Sequence, residues 1–146
     1  MKLVVQRALE SNVEVNNQIV GKIDKGFVVL CGITHDDTEK EADVLARKLC
    51  NLRVFHDENG KMNLSIKDVN GEILAISQFT LYADPNSGNR PSFINAMKPD
   101  PAEALYQEFV KILNEEYQIT TKKGVFGAHM ELHTICDGPV TINLEF

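Results

Sequence analysis

No stretch of this 146-residue chain is apolar for the roughly 20 residues that a membrane-crossing helix needs. Its opening, MKLVVQRALE, does not resemble a secretory leader, because the apolar run is short and a charged residue follows at once. The three cysteines, Cys31, Cys50 and Cys136, form no Cys-x-x-Cys pair and leave an odd number. That argues against a disulfide framework and predicts reduced thiols in a cytoplasmic protein. Positive charge is scarce: 15 Lys and Arg against 21 Asp and Glu leave a net charge of −6. Wrapping a long nucleic acid requires neutralising many phosphates, so that class of function is disfavoured. Gripping a short nucleic-acid end at a local basic pocket remains compatible. Internal repeats, low-complexity segments and linkers are also missing.

What is present is the composition of an ordinary globular protein, 43% apolar and 25% charged. Residues 1–146 are expected to form one domain, long enough to bury a core without a disulfide or a structural metal. KLVVQRALE and SNVEVNNQIVGKI show strand alternation, and GFVVLCGI reads as a central strand buried on both faces. Thr38 and Glu41 make a capping box for a helix whose apolar stripe is Ala42, Leu45, Ala46 and Leu49. NLRVFHDENGKMNLSI predicts a short strand, a turn at Asn59-Gly60 and an extended return; GEILAISQFTLYA predicts a second central strand. A second helix is expected to start with Asp100 as cap and Pro101 at its first position, burying Leu105, Phe109, Ile112 and Leu113. GVFGAHMELHTICDGPVTINLEF reads as two strands joined at Asp137-Gly138-Pro139. The order β-β-β-α-β-β-α-β-β lacks βαβ alternation, which favours an α+β fold over a doubly wound one.

Ser77-Gln78-Phe79-Thr80-Leu81 reads as a reaction site without a base. It places Ser77, Gln78 and Thr80 among the buried-looking Ile76, Phe79 and Leu81, yet holds no His, Lys or carboxylate. A hydroxyl nucleophile needs an adjacent base, so a hydrogen-bonding or plain strand role is preferred for both Ser77 and Thr80. In HMELH, His129, Glu131 and His133 share a strand face and suit zinc. The opposite set, Met130, Leu132 and Cys136, looks buried, so the preferred reading is a solvated face and no metal site. Arg90, in the turn-rich PNSGNRPSF loop, is either a bidentate clamp for carboxylate or phosphate or a structural ion pair. Gly138-Pro139 is either an ordinary tight turn or a cis bond offering two carbonyls to a ligand.

Taken together, SQFTL (77–81), GNRPSF (88–93), DPAEALY (100–106) and DGPVT (137–141) resemble the D-aminoacyl-tRNA deacylases of the D-Tyr-tRNA deacylase type. GKMNLS (60–65), Gln6-Arg7 and the chain length agree, so the resemblance runs from end to end. It implies a single α+β domain with a mixed, mostly antiparallel, barrel-like sheet and two main helices, assembled as a homodimer. The implied activity is hydrolysis of the ester between a D-amino acid and the 3′-terminal adenosine of tRNA, and of glycine mischarged on a non-cognate tRNA. No cofactor, metal or membrane partner is implied.

The resemblance also assigns residues. A cis Gly138-Pro139 reaches into the partner subunit's pocket, holds the substrate amino group with its carbonyls and excludes an L side chain. Arg7 holds that motif in orientation. Ser77, Gln78, Phe79 and Thr80 supply backbone N–H groups and polar side chains to the oxyanion, and the ribose 2′-OH assists, so no protein base is needed. Phe126 and Met130 contact the terminal adenine, against core packing as the plain alternative. Lys122, Lys123 and Arg90 are candidate phosphate contacts. Cys136 departs from the pattern, which has Asn there, and a thiol fixes a turn less well than an amide. The alternatives are Thr80 as a covalent nucleophile, or a non-catalytic dimer that binds tRNA ends or a small amine.

Overall fold

The computed structural model describes residues 1–146. Alternating residues from Lys2 onward build one strand, β1 (Lys2–Val15), where two had been expected. Ser11 does not break it: the residue is buried and its hydroxyl donates to the Leu9 carbonyl at 3.0 Å. The chain turns instead at Asn16-Asn17, both left-handed (φ 50° and 62°), as a tight hairpin requires. β2 (Gln18–Ile23) returns antiparallel to β1. β3 (Gly26–Gly32), the apolar run, is buried nearly throughout and pairs antiparallel with β1 and parallel with β6 (Glu72–Ser77). β4 (Phe55–His56) and β5 (Met62–Leu64) form the expected hairpin around Asn59-Gly60.

A short strand, β7 (Thr121–Lys123), pairs parallel with β6 and had no clear signal in the sequence. β8 (Glu131–Glu145) runs antiparallel along almost all of β1. The main sheet is therefore ordered β2-β1-β3-β6-β7, with β8 on the other edge of β1. A Cβ on Gly21 of β2 would lie 2.9 Å from the Lys123 carbonyl of β7, so the two ends of the sheet nearly meet. The result is an almost closed barrel, mixed but mostly antiparallel.

α1 (Glu39–Cys50) carries the expected capping box and buries the expected stripe. α2 (Pro99–Glu115) begins two residues earlier than the sequence suggested. Pro99 takes the first helical position after Lys98, and Asp100 lies in the first turn, where its charge complements the helix dipole. The larger core cluster packs both helices against the sheet, while Ala8, Val13, Ile23, Val28, Leu74 and Ile76 fill the barrel. The buried Tyr106 hydroxyl donates to the Ala75 carbonyl at 2.8 Å and ties α2 to β6. No helix is long and apolar enough to cross a membrane.

Candidate active site

The second central strand stops at Ser77 instead of continuing to Ala83. The Gln78 amide donates to the Cys31 carbonyl at 2.7 Å, and Phe79–Tyr82 then close a 3₁₀ turn. Gly32 explains the change. A Cβ there would come within 2.9 Å of Leu81 Cβ and 3.2 Å of the Gln78 carbonyl, so only a glycine lets the chain fold back over β3. The turn's ladder starts with Leu81 N–H donating to the Gln78 carbonyl. Its first two amides, those of Phe79 and Thr80, thus have no acceptor within the turn.

The turn also corrects the expected burial. Phe79 is 56% exposed and meets Phe93 edge to face, ring centroids 5.1 Å apart. Thr80 is exposed, and its Oγ1 accepts from Gln78 Nε2 at 2.5 Å. No base touches that hydroxyl. Asp84, the next carboxylate along the chain, accepts from the Asn86 backbone and side chain at 3.0 and 2.9 Å.

A cavity of about 590 Å³ opens beside this turn, between the exit of β6, the segment entering α2 and the segment entering β8. It brings together Ser77, Gln78 and Phe79 with Phe126 and Met130, residues far apart in sequence. No carboxylate lines it; Lys98 and His129 are its ionisable side chains apart from Cys31. Burial pushes the Cys31 thiol far up from its ordinary value, so it stays protonated and inert. A second cavity, about 480 Å³ between α1 and the end of β8, gathers none of the motif residues.

Met130 and Phe126 are half-buried. Phe126 leans on Tyr106, with ring centroids 6.0 Å apart. Met130 Sδ covers Gly124, where a Cβ would lie only 2.4 Å from the sulfur. Phe93, Met97 and His129 also line the cavity. The sequence reading missed Phe93 and Met97, and had weighed His129 only as a metal ligand. Phe93 closes the GNRPSF motif and His129 opens HMELH, while Met97 lies between two motifs; none carried a signal of its own for the cavity. Leu132 and Cys136, expected to be buried, are exposed: Leu132 lines the open cavity, and no strand pairs with the far edge of β8.

Gly138-Pro139 is a cis bond, and it lies inside one continuous strand where two joined strands had been expected. Gln6 pairs with Thr141 and Ala8 with Cys136, so residues 137–140 bulge opposite Arg7 alone. Pro139 has no N–H to give a ladder, and Gly138 takes a φ of 127° that other residues rarely adopt. Two side chains of β1 grip the bulge. Arg7, only 3% exposed, donates through Nε to the Asp137 carbonyl at 3.1 Å and through Nη1 to the Val54 carbonyl at 2.6 Å. Gln6 donates to the Val140 carbonyl at 3.2 Å and accepts from the Thr141 hydroxyl at 2.6 Å.

Gly138 and Pro139 are exposed and do not line the cavity of their own chain. Arg90 is exposed in a loop pinned by paired Asp84–Ser92 backbone bonds; it forms no ion pair and lies outside the cavity. Lys122 is exposed, and Lys123 hydrogen-bonds the Gln107 side chain. The cavity thus offers amide and hydroxyl groups, an aromatic and thioether wall, and no activated nucleophile.

A family model described as D-Tyr-tRNA(Tyr) deacylase matches residues 4–145. A D-aminoacyl-tRNA deacylase of Bacillus cytotoxicus is 51% identical over 148 residues, covering 99% of each chain. One of Thermus aquaticus is 52% identical over 145 residues, covering 99% of this chain and 95% of its own. Among solved structures, the c-Myc DNA Unwinding Element Binding Protein matches with a TM-score of 0.94 at 44% identity, over 100% of this chain and 99% of that one.

Proposed function

The chain belongs to the D-Tyr-tRNA(Tyr) deacylase family and is a D-aminoacyl-tRNA deacylase, a hydrolase of the aminoacyl ester; on that premise we propose how its site performs the reaction. The terminal adenine stacks on Phe126 and Met130 in the 590 Å³ cavity. The ester carbonyl lies at the 3₁₀ turn, where the Phe79 and Thr80 amides receive the oxyanion as water adds. The bond to the ribose 3′-oxygen then breaks, and the proton given up by the attacking water is relayed to that oxygen through the neighbouring 2′-OH. No protein base takes part.

The observation that carries this reading is the cavity's chemistry. The motif residues meet the adenine-binding candidates there, with no carboxylate and no base on Thr80. Chiral selection is assigned to Gly138-Pro139 of a second subunit, whose carbonyls hold the amino group and leave no room for an L side chain. Two facts favour a homodimer. The bulge is rigidly gripped by Arg7 yet stands clear of its own cavity, and Phe79, Phe93 and Leu132 leave exposed apolar surface at the cavity mouth. A backbone filter of this kind also admits achiral glycine, so Gly mischarged on a tRNA such as tRNA-Ala is a second substrate. A tRNA substrate places this work in the cytoplasm.

The deciding experiment is release of labelled tyrosine from D-Tyr-tRNA and L-Tyr-tRNA by the purified protein. Release from the D form alone supports both the chemistry and the filter. Release from both keeps the hydrolase and removes the filter. Binding of tRNA with no release above the spontaneous rate would replace the enzyme by a binding module.

A further inference from the structure

The sheet face opposite the cavity carries a second cluster. In the β1–β8 ladder Glu14 lies directly opposite Glu131, and Asn12 directly opposite His133. Paired residues share a face, and residues two apart along a strand do too, so these four side chains form one block. Leu132 lies between Glu131 and His133 and points the other way, to the cavity wall. A carboxylate oxygen from each glutamate and an imidazole nitrogen of His133 all lie within 4.8 Å of one another. His133 Nε2 is 3.5 Å from Glu14 Oε1.

Two features of this block lack an explanation within the chain. Carboxylates placed directly opposite each other repel, and Lys22, opposite Asn12, pairs instead with Glu10 at 3.5 Å. Asn12 Oδ1 is buried with no hydrogen-bond partner, the single side-chain atom of which that is true. Buried polar atoms are normally satisfied, so an orphan calls for a partner. A cation would neutralise the two glutamates, and Asn12, on the same face, has an amide oxygen free to act as a further donor.

We propose that Glu14, Glu131 and His133, with Asn12 Oδ1 as fourth donor, bind a divalent first-row transition ion of the zinc type. The imidazole nitrogen selects against calcium and magnesium, which prefer all-oxygen shells. Three N and O donors at this spacing need only side-chain rotation to reach metal–ligand distances of about 2.0–2.2 Å. The ion staples β1 to β8 behind the cavity wall. It does not enter the hydrolysis, and the inference stands whether or not the proposed reaction does.

The test is calorimetric titration of Zn²⁺ into chelator-treated protein, made in a Cys136→Ser background because an exposed thiol is a competing zinc ligand. One ion per chain is expected, with His133→Ala and Glu131→Gln each weakening binding tenfold or more. Zn²⁺ should also raise the thermal midpoint of the parent but not of the variants, and Mg²⁺ at equal concentration should raise neither. Circular dichroism verifies that each variant folds; should His133→Ala not fold, Glu131→Gln alone decides. Binding that is absent in the parent, or equally tight in a folded variant, overturns the site.

Discussion

A single nitrogen of Arg7, Nε, faces both the backbone carbonyl of Asp137 at 3.1 Å and its carboxylate at 3.2 Å. The neighbouring Cys136, where the resemblance calls for an amide, is exposed, and its thiol makes no hydrogen bond. The Gly138-Pro139 bulge is therefore anchored through Asp137. Asp137→Ala is expected to raise the L-to-D ratio of kcat/KM by about 10–100-fold, the equivalent of one hydrogen bond to a charged group. Cys136→Asn should leave that ratio within about twofold. Parallel assays on D- and L-Tyr-tRNA would settle it, and an unchanged ratio in Asp137→Ala would falsify the anchor.

Arg7 itself is a buried charge with two backbone carbonyls and a carboxylate as partners. Arg7→Met strips all three and is expected to cost about 3 kcal/mol or more. Arg7→Lys should recover only part, because an ammonium cannot reproduce the guanidinium fork. Urea unfolding midpoints of the three proteins measure this; equal midpoints would show the contacts to be idle.

Thr80 accepts a hydrogen bond from Gln78 and has no base. Thr80→Ala should therefore keep turnover within about fivefold, whereas a D-Tyr-tRNA ending in 2′-deoxyadenosine should lose about 100-fold or more, the usual worth of a proton-transfer group. Loss of turnover in Thr80→Ala with binding intact would reverse the assignment in favour of a covalent threonine.

Gly124 lies under Met130, with space for no side chain. Gly124→Ala would put a carbon 2.4 Å from Met130 Sδ and 3.4 Å from Ile76 Cδ1, so the flexible methionine must move off the cavity wall. KM for D-Tyr-tRNA should rise by about 3–10-fold with kcat nearly unchanged, the pattern of lost uniform binding. A fall in kcat alone would mean that Met130 does not hold the adenosine.

The Thr38 cap carries a pH signature. Thr38 donates to the Glu41 carboxylate through its hydroxyl at 2.6 Å and its backbone amide at 2.7 Å, which holds that carboxyl below its usual range. As pH falls the unfolded chain takes up this proton first. The contribution is thus complete above the ordinary glutamate value of about 4.3 and is lost as pH falls through the lowered native value. Thr38→Ala should lower Tm by about 2–4 °C at pH 7. Differential scanning calorimetry near pH 3 should find a smaller gap; a constant gap would mean that Glu41 is not part of the cap.

Local signals carried well into the fold. The period of α1, the β-branched runs of β1 and β3 and the Asn59-Gly60 turn each depend on neighbours in sequence. The failures were long-range. SQFTL is β-prone, but Gly32 on another strand decides that it turns. The DGPVT segment looked like a hairpin, but β1 is long enough to pair on both sides of it. Leu132 looked buried by alternation, yet burial depends on what lies across the strand, and the single chain leaves an open cavity there. Of the cavity's lining, Ser77, Gln78, Phe79, Phe126 and Met130 were legible as candidates; that Phe93, Met97 and His129 join them came only from the path of the chain into α2 and β8.

The bulge of β8 has a further consequence, for solubility. A fifteen-residue edge strand with exposed Leu132 and Ile135 is a template on which other chains can add as strands. The ladder here is broken between Cys136 and Thr141, with a proline in the gap, so an incoming strand finds only two short registers, Glu131–Cys136 and Thr141–Glu145. The first opens on Glu131 and the second closes on Glu145, charges that oppose stacking. The same irregularity that presents Gly138-Pro139 thereby denies a fibril its seed.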